Sequence, residues 1–246
     1  MLLAAQPIVP FGSVFQGGYE ILARRQDERG GFSAAFLLGL SEVAQQQFDL
    51  CIAAALPHAV NALSLSIGEL PAFVSFNLFP ISIQDNKQRR ILLNALVQAQ
   101  QTVAPVQLVA EFSENLSMPY QDELAAIQAF RDAGLYVARD DHHNSSSCLP
   151  RLPLPWHWVK LDMSLMSVCG GVSLIRRLKN TRPDITIIVE RCTCWADTLA
   201  LLNAGADGFQ AFHHGRPFLL PSVDGDQPPF LDFCRHGSCQ HCTCNV

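Results

Sequence analysis

Two adjacent aspartates, Asp140 and Asp141, end the apolar run LYVARDD at residues 135–141. Neighbouring carboxylates repel each other, so the pair indicates that a cation is bound there. Further acidic, amide or basic groups lie in six other apolar runs, mostly in their latter part. They are Glu20, Asn77, Glu111 with Glu114, Lys160 with Asp162, Glu190 and Gln210. Hard oxygen ligands of this kind suit Mg²⁺ or Mn²⁺, so the residue types favour a divalent-metal site.

The chemistry that this set favours is metal-assisted hydrolysis of a phosphoester. Many carboxylates on one face cannot all stay ionised without compensation, because burial and like charges raise their pKa values. Two cations roughly 3.5–4 Å apart offset that charge, activate a water and stabilise the leaving oxygen. Lys160 beside them can orient the water or offset developing negative charge. The alternative is that each acid caps a following helix, but six strands ending in this way make capping the weaker account.

The elements that must position these groups are short apolar runs separated by longer, helix-like segments. Seven runs have the length and the β-branched or aromatic content of buried strands. They cover residues 19–25, 73–79, 107–114, 135–141, 158–164, 185–191 and 208–212. Residues 7–15 supply an eighth strand in spite of their prolines. The alternation predicts an α/β fold, a TIM-like (β/α)8 barrel, in which the carboxyl ends of the strands converge on one face.

Length and composition narrow the classes of function. The chain has 246 residues, 49% of them apolar, which suits a barrel domain at residues 1–220 followed by a linker and a Cys/His-rich tail at residues 221–246. A formal net charge of −5 without basic blocks argues against a nucleic-acid polymer as partner. The start, MLLAAQPIVP, lacks the features of a signal peptide, and we expect no uncharged apolar run near the roughly 18–20 residues of a membrane helix. These features favour a cytoplasmic protein without a membrane partner.

The same groups stand in motifs whose order matches a known family. GYEILARR, with Glu20, Ile21 and Leu22, is similar to that family's Glu-Ala-Leu signature, and FNLFP is similar to its Asn-Leu-Ser-Pro. AEFSEN is similar to Glu-Ile-Thr-Glu, and VKLDMS to Lys-Ile-Asp. VER stands where the family has Glu-Gly-Val-Glu, and FQAFHHGRP where it has Gln-Gly-Tyr and then Gly-Arg-Pro. The ordered set resembles the EAL-domain family of cyclic-di-GMP phosphodiesterases from about Gln6 to Pro217.

The resemblance implies a barrel with one antiparallel strand, a homodimer, and a cytoplasmic enzyme of bacterial signal transduction that converts cyclic-di-GMP to linear pGpG with two Mg²⁺ or Mn²⁺ ions. It implies catalysis by Lys160 and Glu20 with the help of Asp162, and a loop-supporting role for Glu114. The implied substrate contacts are Leu22, Arg24 and Gln210. The implied metal ligands are Glu20, Asn77, Glu111, Asp140, Asp141 and Glu190.

This sequence departs from the family at the same face. After Asp141 the family has a loop close to Phe-Gly-Thr-Gly, whereas this chain has HHNS at residues 142–145 and so lacks two glycines. Arg191 replaces a glycine next to Glu190, and Thr193 replaces a glutamate. Changes in the residues around metal ligands commonly cost roughly 10- to 100-fold in affinity or activity. Two functions therefore stay open: a phosphodiesterase, or a catalytically impaired receptor of cyclic-di-GMP or regulator that binds a protein partner.

Histidines and cysteines offer softer ligands. The pairs at residues 142–143 and 213–214 follow predicted strands, so we expect both pairs at the active face, as solvated groups or as additional metal ligands. The tail FCRHGSCQHCTCNV contains Cys234, Cys239, Cys242 and Cys244. These cysteines suit Zn²⁺, together with His236 or His241, or an iron–sulfur cluster, and a redox-sensitive tail without metal is the alternative.

Overall fold

The computed structural model describes residues 1–12, 16–26, 30–113, 116–142 and 153–221. Its strands are β1 (Leu2–Pro10), β2 (Gly18–Gln26), β3 (Phe32–Ser33), β4 (Phe73–Leu78), β5 (Gln107–Phe112), β6 (Tyr136–His142), β7 (Trp158–Asp162), β8 (Thr186–Glu190), β9 (Gly208–Gln210) and β10 (Phe218–Leu219). Its helices are α1 (Glu42–Ile67), α2 (Pro80–Gln84), α3 (Asn86–Val103), α4 (Tyr120–Asp132), α5 (Val168–Thr181) and α6 (Trp195–Asn203), with a 3₁₀ helix at Ala35–Gly39. Apart from Pro221, the tail predicted at residues 221–246 lies outside these ranges, so its boundary stays a prediction.

Eight of the strands form a closed barrel. In the order β2, β4, β5, β6, β7, β8 and β9, each strand pairs in parallel with the next. β1 runs in the opposite direction and pairs antiparallel with both β2 and β9, which closes the ring. β3 and β10 add short antiparallel pairs to β2 and β1. The prediction of a TIM-like α/β barrel with one antiparallel strand is confirmed.

The first strand lies earlier in the chain than predicted. β1 covers Leu2–Pro10, whereas the sequence pattern indicated a strand at residues 7–15. The extended backbone ends before Gly12, whose φ of +76° favours glycine and does not fit a strand. Pro7 is tolerated because of how β1 pairs on the side away from β2. There, in the described sheet, β10 pairs with the start of β1 and β9 with its end, and neither pairs with Pro7. On the side away from β2, the missing N–H of Pro7 therefore costs no hydrogen bond of the sheet.

The inside of the barrel consists of an apolar layer and a polar layer. The apolar layer contains Ile8, Phe73, Val109, Ala138, Trp158 and Ile188. The rings of Phe73 and Trp158 meet edge to face, with centroids 4.4 Å apart. A Cβ on Gly18 would lie 2.5 Å from the Phe73 carbonyl oxygen, so the chain approaches too closely for any larger residue. Side chains of a strand alternate between its two faces, so the next inward positions lie two residues further along and form the polar layer.

α1 corrects one expectation from the sequence. The Ser41 hydroxyl accepts a hydrogen bond from the Ala44 N–H at its start, and Gly68 ends it with a φ of +80°. By length and composition alone, Glu42–Ile67 is apolar enough to cross a membrane, so the expectation that no run approaches this length is wrong. One such helix is weak evidence of a membrane span, because the core helix of a soluble protein passes the same test. α1 packs against α2 and α3, and the absence of a membrane partner stays a prediction.

Candidate functional site

Polar residues form one layer at the carboxyl ends of the parallel strands. They are Glu20 on β2, Asn77 on β4, Glu111 on β5, Asp140 and Asp141 on β6, Lys160 and Asp162 on β7, Glu190 on β8 and Gln210 on β9. In the register of the sheet, Glu190 lies level with Asp162 on one side and with Gln210 on the other. The barrel thus brings together the site residues that the strand ends of the sequence indicate.

Lys160 lies at the centre of this layer, with 1% of its side chain exposed. Its Nζ lies 2.8 Å from Glu111 Oε2 and 2.8 Å from Glu190 Oε1. Glu20 Oε2 and Asp140 Oδ1 lie at 3.3 and 3.4 Å from the same nitrogen. We call these four acids the inner carboxylates. Burial lowers the pKa of Lys160, but the inner carboxylates outweigh it and raise the pKa well above its usual value, so the ammonium stays charged.

Glu20 receives hydrogen bonds from three side chains. Asn77 Nδ2 donates to Oε1 at 2.6 Å, and Gln210 Nε2 donates to Oε2 at 2.6 Å. Lys160 Nζ donates to Oε2 at 3.3 Å. Burial raises the pKa of Glu20, but the Lys160 charge and these hydrogen bonds together bring it below its usual value. Glu20 is therefore held ionised.

Two other inner carboxylates lack this compensation. Burial is the largest effect on Glu111 and Glu190, and repulsion from neighbouring acids adds to it. Lys160 opposes the shift, yet the pKa of Glu111 lies well above its usual value and that of Glu190 rises to about 8. Glu111 Oε1 is buried and accepts no hydrogen bond from any residue that the structure describes. One lysine does not neutralise this much negative charge, so the site favours a further cation.

Asp140 and Asp141 reach the same place although they are neighbours on β6. Successive side chains of a regular strand point to opposite faces. Here the pairing of β6 with β7 shifts register between Arg139 and His142, and Asp141 has a φ of +46°. This bulge turns both carboxylates toward Glu190. Ligand atoms of the three acids lie within 4.8 Å of one another.

Arg191 supplies a second cation at the edge of the site, as its position after Glu190 predicts. Its Nη1 lies 2.6 Å from Asp162 Oδ2 and 3.2 Å from Asp141 Oδ1. We call Asp141 and Asp162 the outer carboxylates. The second oxygen of Asp162, Oδ1, accepts hydrogen bonds from the Ser164 N–H and hydroxyl. Burial lowers the pKa of Arg191, but Asp141 and Asp162 outweigh it and raise the pKa.

The residues present fit a divalent cation. Asp140, Asp141 and Glu190 offer hard oxygen ligands close together, which is the donor type that Mg²⁺ and Mn²⁺ prefer. The excess negative charge and the unpaired oxygen of Glu111 point to the same kind of ligand. Glu20 and Asn77 lie beside these acids, so the ligand set implied by the sequence resemblance is assembled around Lys160.

A cleft of about 870 Å³ opens above this layer. Lys160 lies on its floor, and the three implied substrate contacts, Leu22, Arg24 and Gln210, lie in its wall. Among the described residues, two predicted site residues do not line the cleft. Glu111 and Asp162 are completely buried, and each contacts a cation that does line it, Glu111 through Lys160 and Asp162 through Arg191.

Gln6 and Arg216 also line the cleft, and neither was predicted as a site residue. Gln6 pairs with Glu20 across β1 and β2, and its Nε2 donates to the Gly215 carbonyl at 3.4 Å. The signal for Gln6 is that it is the lone polar residue of the strand LLAAQPIVP. The signal for Arg216 is its place in the Gly-Arg-Pro motif.

The histidines follow the expectation only in part. His213 lines the cleft, but His214 packs on Trp195 and Phe209, with ring centroids 4.9 and 4.6 Å away. His142 is buried and is not part of the cleft wall. The bulge places His142 level with Leu161, a residue of the core between sheet and helices. The expected location at the active face is therefore wrong for His142, whereas His214 lies beside His213 but outside the cleft wall.

Several predicted residues lie outside the part of the chain that the structure describes. They are Glu114, His143 with the rest of the loop at residues 143–152, and the tail residues Cys234, Cys239, Cys242 and Cys244. Their implied roles stay predictions.

Comparison with known proteins gives likeness in structure alone. No protein-family model and no curated protein matches the sequence. A manganese/cyclic-di-GMP complex of Klebsiella pneumoniae BlrP1 has a TM-score of 0.66 and 22% identity, over 89% of this chain and 56% of that chain. The FimX EAL domain from Pseudomonas aeruginosa bound to c-di-GMP has a TM-score of 0.66 and 21% identity, over 88% and 90%. An EAL domain protein from Listeria monocytogenes has a TM-score of 0.64 and 19% identity, over 89% and 88%.

These likenesses establish the fold. The chain has the barrel fold of the EAL-domain structures and spans little more than half the length of the Klebsiella protein chain, 56%. BlrP1 has also been solved as a calcium/cyclic-di-GMP complex, with a TM-score of 0.68 to this chain.

Proposed function

We propose that this protein belongs to the EAL-domain family and is a cyclic-di-GMP phosphodiesterase that forms linear pGpG with the help of divalent cations. One observation carries the proposal: the buried ammonium of Lys160 lies among the inner carboxylates on the floor of a cleft. Solved examples of this fold include manganese/cyclic-di-GMP complexes. The residues that would hold Mg²⁺ or Mn²⁺ are Glu20, Asn77, Glu111, Asp140, Asp141 and Glu190.

The residues around the cleft match the demands of phosphodiester hydrolysis. A water oxygen bonds to phosphorus, the bond from that phosphorus to a ribose 3′-oxygen breaks, and a proton passes to this oxygen. Divalent cations, when bound, activate the water and stabilise the leaving oxygen. Lys160 offsets the negative charge that develops on the phosphoryl oxygens, because the inner carboxylates keep it charged. Glu20 stays ionised beside it, so its carboxylate keeps the negative charge that a ligand of a cation needs.

The cleft also suits the substrate in size and in chemistry. Its volume of about 870 Å³ falls in the range of pockets that hold small ligands, roughly 300–1,000 Å³. Arg24, Arg191 and Arg216 in its wall suit the two phosphates of a cyclic dinucleotide. Phe212 lines the cleft with 69% of its surface exposed, which leaves an aromatic face for a purine base.

Turnover of cyclic-di-GMP by the purified full chain tests the proposal. With Mg²⁺ or Mn²⁺, we expect linear pGpG to form and the rate to fall at least about 100-fold in Lys160→Ala, because a charge aimed at the reacting phosphate is lost. Glu20→Ala should abolish turnover as well. Glu42→Gln, which changes an exposed acid at the start of α1, should leave the rate unchanged. Binding of cyclic-di-GMP without turnover under both metals would overturn the enzymatic function.

The second candidate is a receptor that binds cyclic-di-GMP without cleaving it. The ion pairs of Arg191 with the outer carboxylates favour it, because they occupy one of the paired aspartates. If the chain neither binds nor cleaves cyclic-di-GMP, the remaining function is that of a regulator that acts through a protein partner.

Three further expectations are proposals as well. Light scattering of the purified chain tests the homodimer, and fractionation of the source cells tests the cytoplasmic location. Metal analysis with and without residues 234–246 tests a Zn²⁺ or iron–sulfur site, because an unchanged metal content eliminates both.

A further inference from the structure

Arg191 and Asp141 form an ion pair in which both residues have an unusual backbone. They are the two non-glycine residues with positive φ in the described ranges, at +55° and +46°. Such conformations are uncommon for non-glycine residues and persist where the surroundings hold them. Arg191 N–H donates to the Gln210 carbonyl at 3.2 Å, and the next residue, Cys192, is buried. The guanidinium is therefore carried into the site by an anchored backbone.

The two cations of the site divide the carboxylates between them. Lys160 contacts the inner carboxylates, and Arg191 contacts the outer carboxylates. Asp141 belongs both to the Arg191 pair and to the donor triad with Asp140 and Glu190. A second divalent ion shared by the paired aspartates would therefore meet a guanidinium already bound at Asp141.

The chemistry of arginine keeps the ion pairs of Arg191 with the outer carboxylates charged. A guanidinium keeps its charge at every ordinary pH, and its planar donors match the geometry of carboxylates. Asp162 is held in place on its other oxygen by Ser164, so it offers Arg191 a fixed partner at 2.6 Å. A divalent ion could enter this half of the site only by displacing a charge that cannot be removed by loss of a proton.

We propose that the guanidinium of Arg191 takes the place of one of two divalent cations, so that this site binds a single Mg²⁺ or Mn²⁺ ion. Asp140, Asp141 and Glu190, whose ligand atoms lie within 4.8 Å of one another, would hold that ion. The inference rests on the proposed function, since it takes the cluster to be a metal site. In place of the two divalent ions expected from the sequence, the site would contain one divalent ion and the guanidinium of Arg191.

Counting Mn²⁺ ions bound by the full chain, by titration calorimetry and by the electron spin resonance signal of free Mn²⁺, tests this proposal without reference to activity. We expect one ion in the natural protein and two in Arg191→Gly. Arg191→Asn should also bind two, because asparagine tolerates a positive φ but carries no charge. Arg191→Lys keeps the charge and should bind one.

Two controls make the count specific. Arg24→Asn removes another cation of the cleft wall and should still bind one ion. Glu190→Gln combined with Arg191→Gly should bind fewer ions than Arg191→Gly alone. The tail is the same in every variant, so ions bound there do not affect the differences.

The outcomes separate this inference from the proposed function. Two ions in the natural protein, or one ion in both Arg191→Gly and Arg191→Asn, overturn the inference and leave a metal-dependent phosphodiesterase intact. A second ion gained equally in Arg24→Asn overturns it too, because general charge would then set the count. No ion in any variant overturns both the inference and the metal-dependent function.

Discussion

The inner and outer carboxylates are the same chemical group, yet the cations that neutralise them differ in exposure. Lys160 is 1% exposed and contacts four acids, whereas the Arg191 side chain is 56% exposed and contacts two. A buried charge that loses its partner cannot be solvated, while an exposed one can. We therefore expect Lys160 to support both the fold and the site, and Arg191 to affect the fold less than Lys160 does.

Replacing Lys160 should produce the largest effect. Lys160→Met leaves the inner carboxylates without their cation, and we expect the free energy of unfolding to fall by about 3–5 kcal/mol. Denaturant unfolding of the metal-free protein measures it. Lys87→Met, on the exposed surface of α3, should change the free energy by less than about 0.5 kcal/mol. If Lys160→Met changes the free energy of unfolding as little as Lys87→Met does, burial does not distinguish the inner from the outer carboxylates.

Asp49 on α1 is a buried acid to which no cation is paired among the residues that the structure describes. It is completely buried, it accepts a hydrogen bond from the Phe79 N–H at 3.0 Å, and burial raises its pKa to about 8. Because the usual pKa of Asp is about 3.9, the folded state holds the proton more tightly than the unfolded state. This residue therefore costs no stability at pH 4 and an increasing amount as the pH rises to about 8.

Asp49→Asn removes this dependence. The difference in free energy of unfolding between variant and natural protein should shift in favour of the variant by up to a few kcal/mol from pH 4 to pH 8. Urea unfolding across this range measures it. If the difference in free energy of unfolding stays constant with pH, Asp49 has the same pKa in the folded and the unfolded protein. The contrast with Glu20, which a cation keeps ionised, would then be wrong.

Replacing Arg191 should have the smallest effect on stability. Arg191 is exposed, and glycine adopts the positive φ of this position readily. Asp162 is buried and loses its cation, but it keeps the hydrogen bonds from Ser164. Arg191→Gly should therefore lower the free energy of unfolding by about 1–2 kcal/mol, less than Lys160→Met does. The same denaturant measurement applies. A loss as large as that in Lys160→Met would mean that the outer half supports the fold as the inner half does.

The inner half of the site is the part that the sequence predicts best. Strand periodicity places Glu111, Lys160 and Glu190 inward at the ends of their strands, two positions beyond Val109, Trp158 and Ile188. This alternation follows from strand geometry alone, so no knowledge of contacts is needed. The short apolar runs and the helix-like segments between them predict the barrel and seven of its strands to within a few residues.

The outer half depends on backbone geometry that the sequence does not reveal. The register shift in β6 and the positive φ of Asp141 and Arg191 occur at residues that usually avoid them. If the alternation of side chains in β6 is continued through the bulge, it predicts that His142 faces the inside of the barrel. The register shift instead places His142 level with Leu161. The end of β1 also depends on backbone geometry, because the extended conformation stops before Gly12, whose φ is +76°.

The apolar layer beneath the site determines from which end of the barrel a small molecule can reach Lys160. Phe73 and Trp158 meet across its interior at 4.4 Å, and the backbone closes in at Gly18. This plug seals the barrel below Lys160, so a molecule reaches the ammonium from the mouth of the cleft. A small ligand then enters and leaves through one opening. Under the proposed activity, the product would have to leave before the next substrate could bind.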